Sequence, residues 1–205
     1  MATTHPRYPL TLPEDLKHSW MKEAKNQNVS LATWIVNMVE KARRKQNSDV
    51  TFLRYGMWFV TDKGDRNCRE LADRHYSRQS VGNKQFCRPG HNLVLRTALA
   101  DALWVTWSGI RDDGLDAWEC TIFRNESGYL SSDMIRWAVR ATLKQWGLPP
   151  KDGIITYVDA EKVASRNPGF CFKKAGFQLI GKSKKGLLLL QLSQRDIKRE
   201  YRSII

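Results

Sequence analysis

The stretch from Trp118 to Trp146 constrains the fold of this chain more than any other. Its first residues, 118–124 (WECTIFR), are rich in β-branched and aromatic side chains, which favours a buried strand. A polar, glycine-containing turn follows at 125–130, and the next segment has apolar residues at helical spacing. The sequence therefore predicts a strand, a turn and a helix in direct succession.

The predicted helix spans about Ser132 to Trp146. Apolar residues at positions i, i+3, i+4 and i+7 form its inner face: Met134, Trp137, Ala138 and Ala141. Ser131 or Ser132 can cap the first turn, because a hydroxyl accepts a hydrogen bond from an unpaired amide there. Gly147, with two prolines soon after it, ends the helix.

The start of this helix is a candidate binding site for a phosphate group. Unpaired amides and the helix dipole attract an anion, and Arg124 at the end of the strand adds a fixed cation. An ordinary strand-to-helix connection is the alternative. Glu126 and Asp133 favour that alternative, because both would repel a diphosphate.

The closing part of the chain adds strands around a short helix. An apolar strand at 153–158 (GIITYV) ends in Asp159, and further strands are predicted at 177–181 and 186–192. Between them, residues 172–177 (FKKAGF) fit a helix pattern of the GNAT superfamily of N-acyltransferases, which this half of the chain resembles.

The resemblance implies an α+β fold, with a GNAT-like mixed, mostly antiparallel sheet flanked by helices, and a coenzyme A thioester such as acetyl-CoA as acyl donor. It places the cofactor beside one set of residues: Arg124, Asn125, Gly128, Ser131, Ser132, Phe172 and Lys173. The paired glycines of the superfamily's diphosphate signature are absent here, and Arg124 with Gly128 approximates them.

The formal net charge of +13 favours a polyanionic partner, with nucleic acid as the first candidate. No apolar run is long enough to cross a bilayer and no secretion signal is recognisable, so we expect a cytoplasmic protein without a membrane partner. The four cysteines lack a C-x-x-C pair, which predicts reduced thiols and neither a zinc ribbon nor a disulfide framework.

The amino-terminal residues predict a strand at 7–12 (RYPLTL), a helix from Pro13 to about Lys25 and a second helix capped by Ser30. A unit this short buries too little surface to be stable alone, and pairing two copies removes the problem. The stretch from Tyr8 to Arg43 resembles the Arc-like ribbon-helix-helix DNA-binding domains.

That resemblance implies a domain at 1–46 that forms a homodimer and binds double-stranded DNA through outward side chains of the strand, namely Arg7, Pro9 and Thr11. The alternative is a dimerisation domain without DNA affinity. The second domain, at 49–205, would then be the GNAT-like one.

The first part of the larger domain is predicted to begin with a strand at 50–60, followed by a helix at 66–75 with Cys68, Leu71 and Ala72 inward. A hairpin is predicted from residues 92–97 and 102–108. The polar loop at 80–90 offers Lys84 and Arg88 around Phe86, a pattern typical of nucleic-acid surfaces. It is equally typical of a solvated loop fixed by one apolar side chain.

A second resemblance concerns residues that can do chemistry. Three features together are similar to the phage Mom-type DNA-modification proteins: His75-Tyr76-Ser77, Arg124 with Ser131 and Ser132, and Tyr157 with Asp159. This resemblance implies acyl transfer to the exocyclic amine of a DNA base, which protects phage DNA from restriction in the host cytoplasm.

Acyl transfer to an amine needs a base for the departing proton and donors for the developing oxyanion. Asp159 and His75 are the first candidates for the base, Glu119 is the third, and Tyr76 can donate a proton. Structural roles are the alternative for each: a core histidine, a packing aromatic and a loop cap. The spacing of His75, Tyr76 and Asp159 gives no local support for a metal site, and none is predicted.

Three functions therefore compete. The first is a DNA-modifying acyltransferase. The second is an acetyltransferase toxin or other GNAT enzyme acting on aminoacyl-tRNA or protein lysine. The third is a DNA-binding regulator whose larger domain has no catalytic activity. Fold alone does not choose among them.

Overall fold

The computed structural model describes residues 13–35, 37–39, 54–163 and 165–204. It divides the chain into two units, Met1–Thr51 and Phe52–Ile205. None of the helices in the described part of the chain combines the length and the apolar character that crossing a bilayer requires.

The described residues of the first unit form two helices, α1 (Glu14–Asn26) and α2 (residues 31–35 and 37–39). Ser30 caps α2 as predicted, because its Oγ accepts a hydrogen bond from the Thr33 N–H at 3.1 Å. The predicted strand at 7–12, with Arg7, Pro9 and Thr11, lies outside the described residues.

The two helices share a small apolar centre. The ring centroids of Trp20 and Trp34 lie 5.6 Å apart, and Trp34 and Ala24 are both buried. Other large apolar side chains of the two helices stay exposed: Leu16, Met21, Met38 and Val39.

The second unit, as far as it is described, has eight strands and four helices. The strands are β1 (Arg54–Tyr55), β2 (Trp58–Thr61), β3 (His91–Arg96), β4 (Ala102–Ser108), β5 (Trp118–Asn125), β6 (Ile154–Val158), β7 (Gln178–Lys182) and β8 (Leu188–Leu192). The helices are α3 (Arg66–Asp73), α4 (Ser131–Trp146), α5 (Phe170–Lys174) and α6 (Gln194–Glu200). The strands form one sheet in the order β1-β2-β3-β4-β5-β6-β8-β7, in which β5 and β6 pair parallel and all other neighbours pair antiparallel. The predicted α+β class with a mixed, mostly antiparallel sheet is thus confirmed.

The sheet has an apolar cluster on each face. Alternate residues of β4 point to opposite faces: Leu103 and Val105 pack with α3, whereas Trp104 packs with α4. The three residues of α3 predicted to face inward, Cys68, Leu71 and Ala72, are all buried. The Trp58 indole N–H donates to the Met134 carbonyl at 2.8 Å, which fixes α4 against β2.

The prediction of one continuous strand at 50–60 is wrong: residues 54–55 and 58–60 are extended, but the chain turns at Gly56 to make the β1–β2 hairpin. A Cβ at Gly56 would lie 2.7 Å from the Trp137 ring. Trp137 was expected on the inner face of α4 but is 37% exposed. Its ring lies at the rim of the core, against the hairpin turn, where a glycine leaves room for it.

The predicted cap of α4 is also wrong. The helix begins at Ser131, its N-cap is Leu130, and no side chain caps it. Gly147 ends the helix as predicted, with a φ of 77°. Helix α6 has no counterpart in the sequence prediction, because only Ile197 and Tyr201 of this polar segment are buried.

The close packing at Gly153 gives a first testable prediction. A Cβ there would overlap the Leu192 carbonyl oxygen and lie 2.8 Å from the Gln194 amide nitrogen, both of them backbone atoms. At Gly147, where φ is also positive, a Cβ would meet open space. We expect Gly153→Ala to lower the free energy of unfolding by about 1–3 kcal/mol more than Gly147→Ala does, because the backbone must shift as well. Urea titration of both variants measures the difference, and equal losses would contradict it.

Candidate active site

The parallel strands β5 and β6 separate toward their carboxyl ends. They pair at three positions, the last being Cys120 with Thr156. Beyond that point residues 122–125 of β5 pair only toward β4, and residues 157–158 of β6 pair only toward β8. The register of β4 and β5 shifts between Val105 and Thr106, and such a bulge bends a strand. We call the gap between 121–125 and 157–158 the opening.

The adjacent side chains of His75 and Tyr76 span the opening. Their rings stack with centroids 4.3 Å apart and an interplanar angle of 29°. The Tyr76 hydroxyl donates to the backbone carbonyl of Tyr157 on β6 at 3.3 Å. The His75 ring lies against the backbone of Phe123 on β5. The short segment after α3 therefore connects the two separated strands.

His75 is uncharged at neutral pH. Burial lowers the pKa of His75 to about 4, the nearby charge of Arg124 lowers it further, and the Phe123 backbone opposes both effects. The Ser77 amide donates to His75 Nδ1 at 3.3 Å, and the Ser77 hydroxyl lies 2.8 Å from the same atom. This nitrogen therefore serves as an acceptor.

Tyr76 is protonated at neutral pH, because burial raises the pKa of its phenol above the usual range, although the backbone amide of Asp159 opposes the rise. The backbone nitrogen of Asp159 therefore lies beside the Tyr76 hydroxyl. His75, Tyr76 and Asp159, predicted from the sequence as candidates, thus meet at one end of the sheet.

The lowered pKa of His75 predicts a pH dependence of stability. The folded state disfavours the charged ring, so the free energy of unfolding should fall as the pH drops from about 6.5, the unfolded value, to about 4. His75→Gln should reduce this fall. Thermal unfolding of both proteins between pH 7 and pH 4 measures the effect, and identical pH profiles would contradict it.

The Asp159 carboxylate is bound to its own loop. Its Oδ1 accepts the Glu161 N–H at 3.1 Å, and Oδ2 lies 3.8 Å from the Lys162 ammonium. The side chain is 18% exposed. One carboxylate oxygen therefore has only a long contact, with Lys162.

Glu119 lies in a chain of ion pairs. Its Oε2 is 2.9 Å from Arg111 Nη1 and 3.2 Å from Arg88 Nη1, and its side chain is only 4% exposed. Arg111 also binds Asp113 with two nitrogens, and Asp113 accepts the Tyr157 hydroxyl at 2.8 Å. Glu119 therefore has at least a structural role, because its carboxylate is already paired with Arg88 and Arg111.

Burial and the Asp113 carboxylate raise the pKa of Tyr157 to about 12. The bonded Arg111 holds the pKa of Asp113 well below its usual range. Sequence reasoning did not select Arg111 or Asp113. The available signal was a single arginine in an acid-rich loop, 111–116 (RDDGLD), directly before a buried strand.

Arg88 and Lys84, the predicted nucleic-acid contacts of the 80–90 loop, lie in different surroundings. Arg88 is 57% exposed, pairs with Glu119 and lies with its guanidinium carbon 5.5 Å from the centre of the Trp107 ring. Lys84 is exposed, and Phe86 is buried as expected.

The turn before α4 is held by Asn125. Its Nδ2 donates to the Tyr129 carbonyl and to Ser131 Oγ, both at 2.9 Å, and its Oδ1 accepts the Ser127 N–H at 2.9 Å. The first backbone bond of the helix runs from Asp133 N–H to the Leu130 carbonyl. The amides of residues 131 and 132 therefore precede the helical hydrogen bonds, and Ser132 itself is buried.

Arg124 already has partners inside the protein. Its Nε donates to Glu126 at 2.5 Å and its Nη1 to the Arg74 carbonyl at 2.5 Å. Arg74 binds the second oxygen of Glu126 at 2.7 Å. The two guanidinium groups, Arg74 first, lower the pKa of Glu126 to about 2. Its charge, which would repel a diphosphate, is thus offset by two cations.

The remaining predicted cofactor residues differ in exposure. Phe172 is buried and packs against Phe123 and Phe177, with ring centroids 5.7 and 5.3 Å away. Lys173 donates to the Asn167 side chain at 2.7 Å. Gly128 is exposed, and a Cβ there would meet open space.

Two surface pockets are lined by residues that do not belong to the opening. One of about 560 Å³ adjoins α1 in the first unit, and one of about 350 Å³ lies beside the start of β5. Within the described residues, no group of three or more His, Cys, Asp and Glu side chains is placed to hold a metal ion.

Comparison of this chain with protein-family models, with curated proteins and with solved structures finds no match in any of the three.

Proposed function

We propose that this protein is a DNA-modifying N-acyltransferase. It transfers an acyl group from a coenzyme A thioester, such as acetyl-CoA, to an exocyclic amine of a base in double-stranded DNA. The observation that supports this best is the opening between β5 and β6, where His75, Tyr76 and Asp159 meet. Separated strands leave backbone groups unpaired, and an extended ligand can bind such groups.

The protonation states at the opening suit this reaction. A bond forms between the amine nitrogen and the acyl carbon, the carbon–sulfur bond breaks, the amine loses a proton and the departing sulfur gains one. Asp159 can accept the proton from the amine, because its Oδ2 has only a long contact with Lys162. The phenol of Tyr76, still protonated at neutral pH, can supply the proton to sulfur.

The turn before α4 fits the diphosphate of coenzyme A. The amides of residues 131 and 132 lie ahead of the first helical hydrogen bond, and Asn125 holds the turn in shape. Arg124 adds a cation whose charge Glu126 already offsets. In this proposal the helix amides therefore provide the larger part of the diphosphate binding.

The first unit would pair two copies of the chain and hold them on the duplex. Dimerisation is supported by the exposed apolar side chains of this unit, which a second copy would bury. They are Leu16, Met21, Met38 and Val39. The net charge of +13 supports a polyanionic partner.

A non-catalytic DNA-binding regulator is the second candidate. It is favoured by the Tyr76 hydroxyl, which bonds to the Tyr157 carbonyl across the opening and so uses a backbone group that a ligand would need. Under this candidate, coenzyme A should not raise the melting temperature of the protein.

The test is to incubate the full chain with acetyl-CoA and duplex DNA, digest the DNA and analyse the nucleosides by mass. We expect one acylated nucleoside. Parallel reactions with aminoacyl-tRNA and with a lysine peptide identify the alternative enzymes. Unmodified nucleosides together with acylated tRNA or peptide would refute DNA as the substrate.

A further inference from the structure

The positive charge of this protein is concentrated near its carboxyl end. Residues 166–205 contain ten Lys and Arg but only two Asp and Glu, a net charge of +8 out of +13 for the whole chain. These residues form α5, the β7–β8 hairpin and α6. Polyanion binding by the larger unit is therefore best sought on these elements.

Three lysines stand at the turn between β7 and β8: Lys182, Lys184 and Lys185. All three are exposed, and none has an ion pair with an acidic side chain in the part of the chain that the structure describes. The turn itself is well bonded, because Ser183 N–H donates to the Leu187 carbonyl at 2.8 Å and Leu187 N–H to Ser183 Oγ at 3.1 Å. The lysines are thus presented on a fixed turn at the edge of the sheet.

The strand register places this turn beside the opening. Val158, the last residue of β6, pairs with Leu188, and Leu188 pairs with Lys182. Neighbouring strands lie about 4.8 Å apart, so the Lys182 backbone is roughly 10 Å from the end of β6. Asp159 follows Val158 directly. The three lysines and the candidate catalytic residues therefore share one end of the sheet.

We propose that Lys182, Lys184 and Lys185 bind the phosphate backbone of double-stranded DNA beside the opening. The inference rests on the proposed function, for which it supplies the contact that holds the acceptor. Lysines without acidic partners suit phosphates, since each contact releases a counterion. The hairpin sequence, 178–192, contains no aromatic residue on which unpaired bases could stack, which favours a duplex over a single strand.

The experiment measures binding of a labelled duplex to the full chain by fluorescence anisotropy, over a range of salt concentrations and without an acyl donor. The test variant combines Lys182→Gln, Lys184→Gln and Lys185→Gln. The control variant combines Lys63→Gln, Lys144→Gln and Lys151→Gln, which removes the same charge from three other exposed positions. Thermal unfolding confirms that both variants fold.

We expect the test variant to bind duplex at least about tenfold more weakly and to lower the slope of log K against log salt by about 2 to 3, while the control changes little. Equal losses in both variants would overturn the proposal, because only total charge would then matter. Exposed Leu179 and Ile180 lie next to the lysines. The proposal would therefore also be overturned if the hairpin lysines bound phosphatidylserine vesicles more tightly than duplex DNA.

The outcome is separable from that of the proposed function. If duplex binding depends on the hairpin lysines but no acylated nucleoside forms, the acyltransferase proposal is refuted and the DNA-binding surface stands. If acylated nucleosides form and the test variant binds duplex unchanged, the acyltransferase proposal stands and the DNA-binding surface is refuted. A further measurement repeats the duplex titration with added coenzyme A. If the lysines bind the cofactor phosphates instead of DNA, coenzyme A will displace the duplex, and that result would overturn the proposal.

Discussion

Replacing Asp159 with asparagine is expected to lower acyl transfer by about 10²- to 10⁴-fold, the usual contribution of a positioned general base. The fold should be unaffected, because the asparagine side-chain oxygen still accepts the Glu161 N–H that Asp159 Oδ1 accepts now. The substitution removes the ion pair with Lys162 at 3.8 Å, and a long, partly exposed pair of this kind contributes about 0–1 kcal/mol to stability. Single-turnover rates with acetyl-CoA, together with the melting temperature, measure both parts.

The matched control is Asp152→Asn, near the opposite end of β6. Asp152 Oδ2 accepts the Asp116 N–H at 2.8 Å, so the residue also binds a backbone amide of its surroundings, yet it lies away from the opening. We expect this variant to keep its activity. Full turnover by Asp159→Asn would remove this carboxylate from the mechanism.

Arg111→Ala is expected to destabilise the second unit by about 3–5 kcal/mol, the cost of removing one partner from a buried ion pair. The Arg111 and Glu119 side chains are 7% and 4% exposed. Without Arg111 the Glu119 carboxylate keeps only its ion pair with Arg88, and the Asp113–Tyr157 bond is left without its neighbouring cation. Because 1 kcal/mol corresponds to roughly 2–4 °C in a domain of this size, the melting temperature should fall by about 10 °C.

Arg88→Ala serves as the comparison, since it removes the other cation from the same Glu119 oxygen. Arg88 is 57% exposed, and exposed pairs contribute about 0–1 kcal/mol. Its melting temperature should therefore stay within a few degrees of the unchanged protein. If both arginine variants unfolded at the same temperature, burial would not be what makes the Arg111 pair important.

The elements that local pattern determines were predicted well. The hairpin of β3 and β4, the strand β5 and the helix α4 each have apolar residues at the spacing of their own secondary structure. Two of the errors occur where a distant residue decides. The turn at Gly56 depends on the Trp137 ring, which is far away in sequence, and α6 depends on two side chains packing against a core built by other elements.

The candidate site shows the same division. His75, Tyr76 and Asp159 could be selected by residue type and position, but their meeting could not be derived, because the bond between Tyr76 and Tyr157 joins residues 81 positions apart. The ion partners of Glu119 likewise come from two separate loops. A carboxylate that looks free in sequence is thus already neutralised in the structure.

The sequence by itself determined the order and type of most elements, the strongly basic charge and the identity of the chemically capable side chains, because each of these depends on composition or on neighbours within a few turns of chain. Only the tertiary structure decided that β5 and β6 separate after Thr156, that His75 and Tyr76 span the gap, and that the lysine turn lies at the same end. Strand register and burial decide these points, and both arise from contacts between residues distant in sequence.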